Sequence, residues 1–307
     1  QRQMCIRDSA GILRGLGDSS SSLIFLVISC VVNIVLDMIF VAGLHLDVGG
    51  AAAATSIAMF CSWFFSVWYI KKKYPELEFR LRPGRIDKSV MKDIVSVGLP
   101  LGLNNSIYSI GHILMQGLIN AQGSVFMAGC VVGNKVNGIA NVAITSMSSA
   151  GTTFAGQNLG ADEYARLRRG GKLIPFVSGA ITCVSGLIVT FLLSPYIVRI
   201  FTSDRAVMDV GILYIHCILP FSWMYAIFNG IICYANGLGE VRYPTIINIL
   251  VLWAVRIPCG YFISYFIDGR YVNACVAVSF AFGMICMMAF YGTKKWKEIC
   301  RLAGQMQ

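Results

Sequence analysis

The chain has 307 residues, of which 56% are apolar and 13% are charged, and its formal net charge is +10. Soluble domains have roughly 45–50% apolar and about 25% charged residues, so this composition excludes a soluble globular domain and indicates a membrane protein. The positive charge does not indicate nucleic-acid binding, because the lysines and arginines concentrate in short polar segments between apolar stretches.

Residues 1–9 have no helical periodicity and resemble the translation of a sequencing adapter. We therefore leave them out of the fold prediction as a non-native segment. The turn sequence Gly15–Asp18 then precedes an apolar stretch, and Gly237–Glu240 repeats its Gly-Leu-Gly-acid pattern before a later one. Such a repeat is typical of duplicated membrane transporters.

Eight apolar stretches reach the ~20 residues that a helix needs to cross a hydrocarbon layer of ~30 Å. They cover residues 20–43, 50–70, 94–119, 124–150, 173–194, 207–234, 243–267 and 271–292. We therefore expect an all-α, polytopic membrane protein with eight transmembrane helices. The two Gly-Leu-Gly-acid turns lie six stretches apart, which predicts a two-lobe transporter of six plus six helices, with four helices before Gly15.

The basic segment 74–92 contains Pro75, Pro83 and Gly84 and is predicted to be a cytoplasmic linker between the lobes. Residues 10–73 would then hold the last two helices of the N-lobe. Residues 93–293 would form a six-helix C-lobe, followed by a cytoplasmic tail over 294–307. Short cytoplasmic loops are enriched in lysine and arginine, so we expect both visible termini in the cytoplasm and the protein in the cell (inner) membrane.

Asp37 is the carboxylate that lies well within an apolar stretch, and Asn33 precedes it by one helical turn. Thr55 on the next stretch can supply a hydroxyl group. Ionisable residues inside a membrane are costly and tend to be functional, so these three residues are candidates for a proton or cation site. The alternative is that Asp37 lies near the extracellular end of its helix and is simply hydrated there.

Polar residues also interrupt the third and fourth stretches. Asn104, Tyr108, His112 and Lys135 are candidates for the lining of a substrate cavity, through aromatic faces, hydrogen bonds and a buried charge. The alternative is that the amide side chains tie neighbouring helices together.

Other features have structural interpretations. Arg256 lies just before Pro258, and we expect it to donate to carbonyl groups freed by the proline rather than to contact a substrate. The segment Gly156–Gly160 is predicted to be a turn that leads into a short amphipathic helix over residues 161–169. The eleven cysteines have no paired spacing and the histidines are scattered, so we expect no metal site, no cofactor and no catalytic residue.

Several segments together resemble the multidrug and toxic compound extrusion (MATE) transporters. The matching segments, in family order, are Leu13–Asp18, Asn33–Asp37, Gly98–Pro100, Gly156–Ala161, Ala235–Glu240 and Trp253–Pro258. The resemblance implies an N-terminally truncated chain of the prokaryotic proton-coupled branch, with Asn33, Asp37 and Thr55 in its polar network. The sodium-coupled branch has acidic residues at positions that fall near Tyr108 and Tyr225 here, and neither of these is acidic.

The implied function is the export of amphipathic, often cationic drugs in exchange for a cation, with H⁺ favoured over Na⁺. The implied partners are small-molecule drugs, the coupling ion and membrane lipids; we expect a monomer that is not an enzyme. One alternative is a lipid-linked oligosaccharide or lipid II flippase of the same superfamily, for which Lys135 and Arg256 are the available cavity cations. Another is an intramembrane enzyme, but no nucleophile–base pair can be assembled from the apolar stretches.

Overall fold

The computed structural model of the protein describes residues 13, 18–74 and 88–292. The segment 1–9, the turn residues Gly15–Gly17, most of the predicted linker and the tail over 294–307 lie outside these ranges. All regular structure in the described residues is helical, which confirms the all-α prediction. The chain divides into two compact units, Gln1–Asp87 and Lys88–Gln307.

The first unit contains two long helices that pack against each other. Helix α1 (Ser19–Asp37) continues as a π-helix over Met38–Gly43, and α2 covers Asp47–Lys73. The hydroxyl of Ser62 on α2 donates a hydrogen bond to the carbonyl of Phe25 on α1 at 3.0 Å. Small side chains and hydrogen bonds of this kind let two helices approach closely where there is no water to drive their association.

The second unit is built from longer helices joined by short turns. They are α3 (Lys88–Asn120), α4 (Ser124–Gly160), α5 (Tyr164–Phe201), α6 (Arg205–Gly237), α7 (Arg242–Tyr271) and α8 (Ala274–Gly292). Because α3 begins at Lys88, the last residues of the predicted linker are helical. Helix α7 contains two π-helical segments, Val251–Arg256 and Ile263–Asp268, on either side of Pro258.

Six of the described helices are long and apolar enough to cross a membrane, namely α1 with its π-helical end, α2, α5, α6, α7 and α8. Helices α3 and α4 are just as long but more polar, because they carry asparagine, glutamine, histidine and lysine side chains. The protein is therefore a multi-pass membrane protein by its apolar helices, and the count of eight transmembrane helices stays a prediction.

Helix α6 lies at the centre of the second unit, where it packs against α4, α5 and α8. Its contact with α4 depends on glycine. A Cβ atom added at Gly133 would lie 2.6 Å from Cδ1 of Tyr214 on α6, which is closer than two carbon atoms can approach. This close packing keeps Tyr214 buried and holds the two helices beside the cavity described below.

The predicted turn at Gly156–Gly160 is wrong, because these residues form the last turns of α4. The turn comes one step later, around Asp162, whose φ is +58°. Residues 164–169 are then the start of the long helix α5 rather than a separate amphipathic helix. A glycine inside a helix costs only about 1 kcal/mol. The helix therefore continues through Gly156, where a Cβ atom would lie at an ordinary contact distance of 3.6 Å from the carbonyl oxygen of Gly237.

Candidate functional site

The polar residues predicted for a coupling site lie on α1 and α2 of the first unit. The side-chain amide of Asn33 donates a hydrogen bond to Oγ1 of Thr55 at 3.3 Å, and both side chains are half-buried. The Thr55 hydroxyl in turn donates to the carbonyl of Ala51, one turn earlier on α2, at 2.9 Å. The structure thus brings two of the three predicted residues into direct contact across a helix pair.

Asp37 lies one turn beyond Asn33, at the point where α1 changes from α-helix to π-helix. Its Oδ1 atom is buried and has no hydrogen-bond partner within the described residues. A buried carboxylate oxygen that lacks a hydrogen-bond donor is energetically costly. Changes between α-helix and π-helix also occur often at functional sites.

A second polar cluster lies around Asp18, at the other end of this helix pair. The sequence analysis considered Asp18 only as part of a turn motif. Asp18 accepts hydrogen bonds from the backbone N–H of Ser21 at 3.1 Å and from the hydroxyl groups of Tyr69 and Tyr74 at 3.1 and 3.3 Å. It also forms an ion pair of 2.6 Å with Nζ of Lys73. The Lys73 ammonium, followed by the Ser21 hydrogen bond, holds the pKa of Asp18 well below its usual range.

The repeat of this motif has the same local role in the second unit. Oε1 of Glu240 accepts from the backbone N–H groups of Arg242 and Tyr243, at 3.2 and 3.4 Å, at the start of α7. Both acidic residues therefore cap the helix that follows, by satisfying N–H groups that lack partners within the helix. The recurring acid is explained by helix capping, and it need not take part in transport.

The second unit contains a cavity of about 360 Å³, lined by residues of α3, α4, α6, α7 and α8. Two of the predicted cavity residues, Tyr108 and His112, line it, and their rings meet edge to face at 4.9 Å. Half of the other lining groups are amides, hydroxyl groups or aromatic rings. They include Asn134, Asn137, Asn141, Tyr225 and Phe280, and the charged residue Arg256 also lines the cavity.

The other two predicted residues are not among those that line this cavity. Asn104 accepts a hydrogen bond from the side-chain amide of Asn248 on α7 at 3.3 Å, which fits the alternative that amides tie helices together. Lys135 is exposed on α4, and its Nζ lies 5.8 Å from the ring centre of Phe201.

Arg256 is the cavity residue whose role the sequence analysis missed. It is buried, with 6% of its surface exposed, at the end of the π-helical segment before Pro258. Instead of donating to freed carbonyl groups, Nε donates to the hydroxyl of Ser279 at 2.9 Å and Nη1 to that of Tyr108 at 3.1 Å. The guanidinium also lies over the Phe280 ring, 5.4 Å from its centre. An arginine inside an apolar stretch was the available signal.

Comparison with known proteins gives consistent results. The MatE family model matches residues 100–262, which is more than half of the chain. Probable multidrug resistance protein YoeA of Bacillus subtilis is 26% identical over 308 residues, which cover 94% of this chain and 65% of that protein. Multidrug export protein MepA of Staphylococcus haemolyticus is 24% identical over 77% of this chain and 52% of its own length. The chain thus spans about two thirds or less of these relatives.

Among solved structures, the Vibrio cholerae MATE transporter VcmN in its bent form superposes with a TM-score of 0.85 at 18% identity. The match covers 98% of this chain and 67% of that structure, so the fold is shared over nearly the whole described chain. Together with the family match, this confirms the resemblance derived from the sequence: the chain belongs to the MATE family of transporters.

Proposed function

We propose that the full-length protein exports amphipathic drugs out of the cell in exchange for an inward-moving cation. The names of the relatives YoeA and MepA, a multidrug resistance protein and a multidrug export protein, support drug export as the activity. The observation that carries the coupling proposal is the cluster on α1 and α2, where Asn33 contacts Thr55 and Asp37 has a buried oxygen without a donor.

In this proposal H⁺ is the coupling ion, and Asp37 is the group that binds it. Protonation would remove a charge that has no partner on Oδ1, and so would stabilise whichever access state buries Asp37 more deeply. The drug would stabilise the opposite state, so the two ligands would drive the same equilibrium in opposite directions. The Asn33–Thr55 hydrogen bond would hold the amide beside the carboxyl group in a fixed position.

Sodium is the less favoured ion because the candidate cavity in the second unit lacks a carboxylate among its lining residues. A Na⁺ site is normally built from several oxygen ligands, of which at least one is commonly charged. Tyr108 and Tyr225, at the positions where the sodium-coupled branch carries acids, supply only neutral phenol groups. We further propose a monomer in the inner membrane, surrounded by lipid, with both visible termini in the cytoplasm.

The experiment is ethidium efflux from drug-sensitive bacteria that express the full-length protein. We expect efflux that stops when a protonophore collapses the proton gradient and that continues when external Na⁺ is replaced by K⁺. Efflux that requires Na⁺ and resists the protonophore would refute proton coupling. An absence of efflux for ethidium and for a panel of other amphipathic dyes would refute the drug-export function itself.

A further inference from the structure

The cavity of the second unit contains a fixed positive charge that no described residue neutralises. A guanidinium group has five N–H donors, and Arg256 uses two of them, toward Ser279 and Tyr108. The remaining donors, one on Nη1 and two on Nη2, have no acceptor within the described residues. Since Arg256 lines the cavity, these donors are available to a molecule inside it.

No aspartate or glutamate is among the residues that line this cavity. The two acceptors of Arg256 are hydroxyl groups, which orient the guanidinium but carry no charge. Phe280 adds a cation–π contact, which is likewise neutral. A buried cation in a membrane protein normally pairs with an anion or contacts water, and the described residues supply no anion here, so the site is suited to an anionic ligand.

The rest of the cavity wall suits an amphipathic molecule. Asn134, Asn137 and Asn141 follow each other along one face of α4 at intervals of three and four residues and offer amide donors and acceptors. Tyr225 stacks on Phe280 at 4.7 Å between ring centres and forms a flat apolar surface beside the guanidinium. A volume of about 360 Å³ falls in the range of pockets that hold drug-sized ligands.

We propose that this cavity binds an aromatic organic anion, with its carboxylate on the free donors of Arg256 and its ring against Tyr225 and Phe280. Two parallel N–H···O bonds from the planar guanidinium match the geometry of a carboxylate. The assignment gives the exporter a substrate class opposite in charge to the cationic drugs that the family resemblance implies. It rests on the proposed export function for its physiological meaning, but the binding step does not depend on transport.

The test is equilibrium binding of dansylglycine and of its methyl ester to the purified protein, followed by dansyl fluorescence. The ester replaces the negative charge of the carboxylate with a methyl group and leaves the rest of the probe unchanged. We expect the acid to bind about tenfold more tightly than the ester, the lower end of what charge-assisted hydrogen bonds contribute. Arg256→Gln should remove this preference, whereas Arg270→Gln, which changes an exposed arginine paired with Asp268, should retain it.

A second pair of variants tests the charge without removing the arginine, in case Arg256→Gln fails to fold. Tyr108→Glu introduces a carboxylate beside Nη1, and Tyr108→Gln introduces a neutral group of the same shape. We expect Tyr108→Glu to bind the ester more tightly than the acid and Tyr108→Gln to keep the preference for the acid. Melting temperatures of all variants would separate loss of the fold from loss of the site.

Several results would overturn the proposal. Equal affinity of the wild type for the two probes, or no binding of either, would exclude an anion site. A preference for the acid that persists in Arg256→Gln would show that the anion site lies elsewhere in the protein. The titration is repeated in nanodiscs that contain phosphatidylglycerol. If this lipid removes the part of dansylglycine binding that requires Arg256, the occupant of the site is a lipid headgroup rather than a drug. Failure of ethidium efflux leaves these binding results unchanged, so the two proposals fail separately.

Discussion

Replacing Asp37 with asparagine should abolish the response of drug export to a pH gradient while leaving the protein folded. Asparagine has almost the same size and retains an oxygen acceptor, but it cannot bind and release a proton. Within the described residues of the α1–α2 pair, Asp37 is the one carboxyl group that lies away from the helix ends. Asp47 lies at the exposed start of α2. The substitution therefore removes the proposed proton carrier without changing the volume of the site.

The magnitude follows from one proton carried per cycle. A gradient of one pH unit is equivalent to about 1.4 kcal/mol for each proton. In an electroneutral exchange of one proton for one monovalent cationic dye, this free energy supports at most about a tenfold dye gradient. The wild type should approach this tenfold accumulation for each pH unit imposed, and Asp37→Asn should show no accumulation above that of vesicles without the protein.

The assay uses everted membrane vesicles that contain the full-length protein, with the pH gradient set by dilution and dye uptake followed by fluorescence quenching. Asp47→Asn is the matched control. It makes the same chemical change on the same helix pair, at an exposed residue with φ of +43°, a conformation that asparagine tolerates well. The reasoning would be refuted if Asp37→Asn vesicles developed the tenfold gradient, or if Asp47→Asn lost it equally.

Two further predictions concern stability and are checked by melting temperature in detergent. Gly133→Ala should destabilise the protein by about 1–3 kcal/mol, because its Cβ would lie 2.6 Å from Tyr214. Gly138→Ala, on the same helix with no atom within 4 Å, should be neutral or stabilising, and equal effects would contradict this account. Asp18→Asn keeps a capping side chain but loses the ion pair with Lys73, and it should melt below the wild type. Since the pKa of Asp18 is lowered by folding, this difference should persist from pH 7 to pH 5 and disappear only in strong acid, well below pH 4; a difference lost by pH 5 would refute it.

The helical architecture was predictable from the sequence because membrane-spanning helices satisfy their own backbone groups, so composition and length alone indicate them. The contact between Asn33 and Thr55 was also predictable in part. Both residues are polar, both lie in apolar stretches, and the two helices follow each other with only a short turn between them. Local pattern and chain connectivity together were sufficient to pair them.

The environment of Arg256 was not predictable in this way. Its hydrogen-bond partners, Tyr108 and Ser279, lie 148 and 23 residues away along the chain, on helices α3 and α8. Nothing in a single sequence specifies which faces of three helices meet, so the local signal of Pro258 dominated the interpretation. The turn prediction at Gly156–Gly160 failed because glycine is also tolerated inside a helix, so the local sequence does not fix whether the helix ends before or after these residues.

Asp37 and Arg256 cannot exchange roles, and this difference limits the mechanism. A carboxyl group such as Asp37 can be neutral or charged, so a proton gradient can act on it directly. A guanidinium stays protonated throughout, so Arg256 cannot take part in proton exchange. A change in the occupancy of its site must therefore come from a ligand that brings or removes an anion. If both proposals hold, proton binding alters the charge of the first unit and substrate binding alters that of the second. Coupling between them is then a free energy of conformational change rather than competition for one site.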